Sequence, residues 1–71
     1  MLYSVKREKD NINLVMTEDQ LIRYSNIYCS QCIYKMFGEI EEFNNTLDEA
    51  IDTMTQQFYT EDNFTIGECN V

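Results

Sequence analysis

The chain has 71 residues, of which 44% are hydrophobic and 25% charged, and it carries five basic against thirteen acidic residues with no histidine. That composition predicts one small folded domain of net charge −8, because a chain of this size still buries about 60% of its surface on folding. It excludes catalytic pairs and metal sites that need imidazole, and no apolar run reaches the ~18 residues of a membrane-spanning helix. The N-terminus does not resemble a signal peptide, so the cytoplasm is the expected compartment.

The first seventeen residues predict a β-hairpin. Side chains alternate with period two over residues 3–7 and again over residues 12–16. Between these runs, Asp10 and Asn11 are residues that tolerate turn geometry. A hairpin alone is marginal in water, so we expect it to pack against the helices that follow.

A capping box over residues 17–20 predicts the start of a long helix, from Glu18 to Phe43. Steps of about 100° per residue place most of its apolar side chains on one broad face. That face contains Leu21, Ile22, Tyr28, Cys29, Cys32, Ile33, Met36, Ile40 and Phe43. The opposite side contains Arg23, Asn26, Ser30 and Glu41, which we expect to face solvent.

A second capping box, over residues 46–49, predicts a shorter helix from Leu47 to Phe58, antiparallel to the first because the connection is short. Residues 64–69 alternate weakly and indicate a last strand, which either joins an edge of the hairpin or packs loosely. The predicted fold class is therefore α+β: a single domain spanning residues 1–71, with an N-terminal hairpin, two helices and a possible C-terminal strand, in the order β-β-α-α-β.

Three cysteines raise the question of a metal or redox site. Cys29 and Cys32 form a C-x-x-C inside the predicted helix, on its apolar face, and Cys69 is distant in sequence. Structural zinc sites usually combine two such pairs, or one pair with histidines, on turns. We therefore expect Cys29 and Cys32 to pack in the core as small hydrophobic residues, and we expect no cofactor or metal.

The charge is unevenly distributed along the chain. Residues 36–71 contain nine acidic residues and no lysine or arginine. Like charges raise the free energy of the compact state, and this small domain has little stability to lose. Two interpretations stay open: the acids keep the protein in solution, or they form a binding surface for a basic partner. Either way, direct binding of nucleic acid is disfavoured, because phosphates would be repelled.

Basic clefts in a cytoplasm belong mostly to proteins that bind DNA or RNA. In size and charge, although in no sequence motif, the chain resembles small bacteriophage-encoded DNA mimics that inhibit restriction enzymes, uracil-DNA glycosylases and CRISPR nucleases. The hypothesis is a non-enzymatic inhibitor or regulator that occludes the basic cleft of a nucleic-acid-binding protein. Its candidate partner-binding residues are Glu41, Glu42, Asp48, Glu49 and Asp52, followed by Glu61, Asp62, Tyr34 and Ile27.

Apolar side chains outside the main helix face support an alternative. Ile27 and Tyr34 project away from that face, with Tyr24 at its edge and Gly38 on the same outer side. Tyrosine is enriched at protein interfaces. This second face would meet the target or a second copy of the chain in a symmetric dimer. The alternative function is thus a structural or regulatory module, a homodimer or an accessory subunit, that acts through apolar helix contacts.

Overall fold

The computed structural model describes residues 1–56 and 64–69, and within them it contains three strands and two helices. In chain order these are β1 (Leu2–Arg7), β2 (Ile12–Thr17), α1 (Glu18–Phe37), α2 (Leu47–Thr55) and β3 (Phe64–Cys69). The predicted β-β-α-α-β arrangement is confirmed. The open question about the last strand is also decided, because β3 pairs with β1 and so extends the hairpin.

The sheet has the strand order β2-β1-β3, and both pairings are antiparallel. The hairpin register runs without interruption from Leu2 opposite Thr17 to Arg7 opposite Ile12. At the turn, Asn11 has a left-handed φ of 54°, which asparagine tolerates well, and its N–H donates to the carbonyl of Glu8 at 3.2 Å. β1 is therefore the central strand, and β2 and β3 form the two edges.

The core lies between one face of the sheet and the two helices. Residues directly opposite each other on antiparallel strands share a face, so Val5, Leu14 and Ile66 point the same way. The buried cluster consists of Tyr3, Val5, Met16, Leu21, Met54 and Phe64. The rings of Tyr24 and Tyr28 pack edge-on against Phe64, with centroids 6.2 and 5.1 Å away. α1 packs against β1, β2 and α2, while α2 also packs against β3.

The first helix is shorter than predicted. It begins at Glu18 with the expected capping box, but it ends at Phe37 and not at Phe43. Gly38 stops it by adopting a left-handed φ of 68°, while its N–H donates to the carbonyl of Tyr34 at 2.8 Å. The apolar spacing that continued to Ile40 was misleading, because Ile40 is 89% exposed in the connection that follows. Gly38 therefore ends the helix. No atom of another described segment lies within 4 Å of the position that a β-carbon would take, so none packs closely against this glycine.

The second helix is also shorter than predicted. It begins at Leu47 with the expected capping box, in which Thr46 and Glu49 bond reciprocally, and it ends at Thr55. The backbone N–H of Gln56 closes the last turn by donating to the carbonyl of Asp52 at 3.0 Å. The predicted end at Phe58 falls outside the described residues. Ala50 and Met54 are fully buried, so the apolar stripe predicted for this helix holds it on the core.

Candidate binding surface

Residues 38–46, the linker between α1 and α2, run back along the side of α1 that was predicted to face solvent. Ser30 donates from Oγ to the carbonyl of Glu41 at 2.7 Å. The N–H of Asn45 donates to Oδ1 of Asn26 at 2.8 Å. The expectation of a solvent-facing polar side is therefore wrong for Asn26 and Ser30, which are half-buried because the linker covers them. Glu41 is exposed as expected, but it lies in the linker and not on α1.

The side chain of Asn45 completes this attachment. Its Nδ2 donates to Oγ of Ser25 at 3.3 Å and lies 3.8 Å from Sγ of Cys29. Ser25 is fully buried, and its hydroxyl donates in turn to the carbonyl of Ile22 at 2.7 Å. Buried polar groups need partners, so these bonds hold the linker in one position. The acidic residues on either side of Asn45 consequently belong to the same ordered body as α1.

Cys29 and Cys32 are buried in α1, as predicted, and Cys69 is half-buried on β3. Burial raises the pKa of the Cys29 thiol, which outweighs the hydrogen bond from Asn45 that acts in the opposite direction. A raised pKa keeps the thiol protonated and unreactive. Within residues 1–56 and 64–69, no group of three carboxylates or thiols is arranged to hold a metal ion.

The three acidic candidates on α2 share its solvent side. Asp48, Glu49 and Asp52 are all exposed, and helical geometry places them within an arc of about 100°. Glu49 has a second task, because its Oε1 accepts from the backbone N–H of Thr46 at 3.0 Å. Asp48 and Glu49 also lie in the first turn, where the helix dipole favours negative charge. Local helix stability is thus compatible with a densely acidic surface here.

The remaining acidic candidates lie on both sides of α2. Glu41 and Glu42 are exposed on the linker, and the backbone of Glu41 is tied to α1 through Ser30. On the other side, Asp48 and Glu68 of β3 line one shallow groove. We define the acidic flank as Glu41, Glu42, Asp48, Glu49, Asp52 and Glu68. Sequence reasoning did not single out Glu68, because only strand pairing brings it beside α2.

The other candidates do not join the acidic flank. Ile27 and Tyr34 are each 60% exposed, as expected for side chains that leave the core face of α1. Tyr34 lines a groove with Ile40 of the linker. Ile27 lies two turns earlier on nearly the same side of α1, where it lines a groove with Leu14 of β2. The candidates Glu61 and Asp62 lie outside the described residues.

Most of the basic residues line cavities beside the hairpin. Arg7, Lys9 and Lys35 line a cavity of about 500 Å³ together with Tyr24 and Tyr28. Arg7 forms a salt bridge with Asp10 at its rim. Arg23 lines the neighbouring groove beside β2. Four of the five basic residues of the chain therefore line cavities on the hairpin side of α1, together with Asp10, and Lys35 also lines the groove beside Ile40 of the linker.

Known proteins add nothing to this geometry: comparisons with protein-family models, with characterised proteins and with solved structures return no match. Neither helix in the described part of the chain combines the length and the apolar character needed to cross a membrane. The function must therefore be inferred from the side chains that the surface exposes and from the contacts that hold them.

Proposed function

We propose that this protein is a non-enzymatic binding protein whose acidic flank occupies the basic cleft of a nucleic-acid-binding partner. A defence nuclease, a restriction or CRISPR enzyme, or a DNA-repair enzyme has the required cleft. Binding would act by occlusion, since carboxylates that stand where phosphates otherwise lie exclude the nucleic acid. Complementary potentials also speed the encounter of the two surfaces.

The observation that carries the proposal is the arrangement of the acidic flank. Its carboxylates are exposed, and the backbone of the linker that carries Glu41 and Glu42 is fixed to α1 by the hydrogen bonds of Ser30 and Asn45. A surface whose backbone is already ordered loses less conformational entropy on binding than a flexible acidic tail would. The acidic flank is also separated from the basic residues, so its field is not cancelled at short range.

Affinity capture followed by a charge-matched pair of variants tests the proposal. The protein is immobilised, a cytoplasmic lysate is passed over it at low salt, and the retained protein is identified and measured in isolation. Its affinity should fall steeply as salt rises, and its own nucleic acid should compete for the same site. A retained partner that does not bind nucleic acid would contradict the proposal.

The variant pair separates local charge from net charge. In the first variant Glu42→Gln, Asp48→Asn and Asp52→Asn remove three charges from the acidic flank. In the control Glu8→Gln, Glu18→Gln and Asp19→Asn remove three charges elsewhere. Both variants have the same net charge, so only the first should lose binding, by on the order of 100-fold if each buried charge pair is worth ~1 kcal/mol. Equal losses would mean that only net charge matters.

A second candidate function is favoured by the apolar end of α1. Tyr34, Met36, Phe37 and Ile40 are all exposed, which is unusual for four large apolar side chains close together in sequence. This end would serve an accessory subunit that binds through apolar contact. Capture of a partner that withstands high salt, and that is lost in a Phe37→Ser variant but kept in the acidic-flank variant, would favour it over the first proposal.

A further inference from the structure

The two edges of the sheet differ in how they are protected against strand pairing. Natural edge strands usually carry a charge, a proline or a bulge that prevents another strand from adding to them. β3 follows this rule, because Glu68 lies opposite the buried Tyr3 and hence on the helix-covered face. β2 has neither charge nor proline between Ile12 and Thr17, and its register with β1 is continuous. In the part of the chain that the structure describes, nothing pairs with the outer edge of β2.

The side chains along this edge are apolar and accessible. Ile12, Leu14 and Val15 are 39, 44 and 56% exposed. Leu14 lies opposite the buried Val5, so it points toward the helices, yet α1 does not cover it. Leu14 and Ile27 line the same groove, which gives an apolar strip running from the strand edge onto α1. This surface therefore combines a strand edge with which no described strand pairs and exposed apolar side chains beside it.

Charges at the two ends of this strip have opposite signs. Glu18 and Asp19 follow directly on β2 and open α1. At the other end, Lys9 of the hairpin turn and Lys35 of α1 line one cavity. The strip is thus acidic at one end and basic at the other, and its middle is mainly apolar, with Gln20 and Arg23 of α1 also lining the groove. A two-fold axis through its middle inverts that order, so that each acidic end meets a basic end.

We propose that the protein forms a two-fold symmetric homodimer in which the outer edges of two β2 strands pair antiparallel, with Leu14 opposite Leu14 of the second copy. This register keeps the helices of both copies on one face of a continuous sheet, and it brings the hairpin turn, which holds Lys9, close to the first turn of α1, which holds Asp19, in the second copy. Asp10 comes level with Glu18, but Asp10 is already paired with Arg7. The two Ile27 side chains lie close to the axis and cover the paired leucines.

The dimer keeps the two acidic flanks apart. α2 packs on β3, at the edge of the sheet farthest from β2, so the two acidic flanks lie at opposite ends of the dimer. A second copy therefore fits this edge without bringing the most negative surfaces together. The inference is independent of the proposed function, because a dimer would leave both acidic flanks free to bind.

Sedimentation velocity on the full chain tests the interface. The wild-type protein should sediment as a dimer, and Val15→Lys and Leu14→Lys should each raise the dissociation constant by on the order of 100-fold, because each change occurs twice per dimer. Both variants lower the net negative charge, so weaker association will not stem from added repulsion. Ile40→Lys is the matched control: it makes the same charge change at an exposed apolar residue outside the strip and should leave the dimer intact.

A charge exchange tests the register. Lys9→Glu and Asp19→Lys should each weaken the dimer, and the two together should restore it, because the pair is only inverted. Circular dichroism on every variant checks that the monomer stays folded. If Leu14→Lys unfolds the protein, Val15→Lys alone tests the edge, because Val15 is the most exposed of the three edge residues. A monomeric wild type, edge variants that remain dimeric, dissociation by Ile40→Lys alone, or a double variant without recovery would each overturn the proposal.

Discussion

The rest of the molecule covers one side of α1 and leaves another side exposed. The linker covers the polar flank, where Ser25, Asn26 and Ser30 receive hydrogen bonds or donate them. On the hairpin side, Ile27 and Leu14 are exposed beside the outer edge of β2, with which no described strand pairs. The exposure of each side of α1 is thus decided by which segment packs on it, and polar residues can be covered while apolar residues stay exposed.

The charges follow the same division. The acidic flank lies on the covered, hydrogen-bonded side, and four of the five basic residues lie on the open side. This division assigns the two sides different tasks in our proposals: the acidic flank binds a basic partner, and the open side binds a second copy. The following experiments test how far the two flanks are independent, beginning with the largest expected effect.

The stability of the folded monomer should depend strongly on the packing of α2, which carries part of the acidic flank. It should depend little on Ile27, on the hairpin side of α1. Met54 is fully buried, so Met54→Ala should cost about 2–5 kcal/mol of unfolding free energy, measured by urea denaturation. Ile27→Ala at the open flank should change the stability of the monomer by less than about 0.5 kcal/mol. Similar losses for both would mean that Ile27 contributes to the monomer core and that the flanks are not distinct.

Loss of the hydrogen bonds that attach the linker to α1 should have the next largest effect on the free energy of unfolding. Asn45→Ala removes the donor to Ser25 and Cys29 and should cost about 1–2 kcal/mol in the same measurement. Its neighbour Asn44 is exposed and provides a matched control, since Asn44→Ala should be nearly neutral. If the two variants have equal stability, the side-chain bonds of Asn45 do not hold the linker.

The second capping box should contribute about as much as an ordinary helix cap. Thr46→Ala removes the acceptor for the N–H of Glu49 and should cost about 1 kcal/mol, while Thr46→Ser keeps the hydroxyl and should recover most of it. Binding of a basic partner should weaken in Thr46→Ala only as far as α2 frays. A full loss of binding at unchanged helicity, measured by circular dichroism, would assign Thr46 a direct contact instead.

The smallest effect concerns the buried thiol beside the linker. Because burial raises the pKa of Cys29, its thiol stays protonated, and alkylation followed by mass spectrometry should modify it far more slowly than Cys69, which is only half-buried. The folded state holds this proton more tightly than the unfolded state. The corresponding stability is therefore complete below the ordinary pKa of 9.0 and is lost as pH rises above it. Equal alkylation of both cysteines would show that the linker opens readily.

Local signals in the sequence predicted the elements well. Both capping boxes, the hairpin and the C-terminal strand are where the residue patterns place them. These signals act between residues three or four apart, or by alternation within one strand. The end of α1 was wrong because apolar spacing through Ile40 and Phe43 was given more weight than Gly38. A left-handed glycine ends a helix more decisively than spacing extends it.

The composition of the acidic flank was also accessible from the sequence, since exposure of Asp48, Glu49 and Asp52 follows from the helical stripe. The contribution of Glu68 was not, because it depends on which strand β3 pairs with. The position of Ile27 beside Leu14 was not accessible either, because it depends on how α1 folds back over β2. Whether the acidic residues bind a basic cleft stays a prediction.

The amino-acid sequence alone determined where strands and helices begin, how many charges the chain carries and which half of it is acidic, because each of these depends on neighbouring residues or on composition. Only the tertiary structure decided that the polar side of α1 is covered, that the edge of β2 is open and that most basic residues line cavities beside the hairpin, which contain no residue of the acidic flank. Those features depend on contacts such as that between Asn26 and Asn45, 19 residues apart, which form only when the whole chain has folded back on itself.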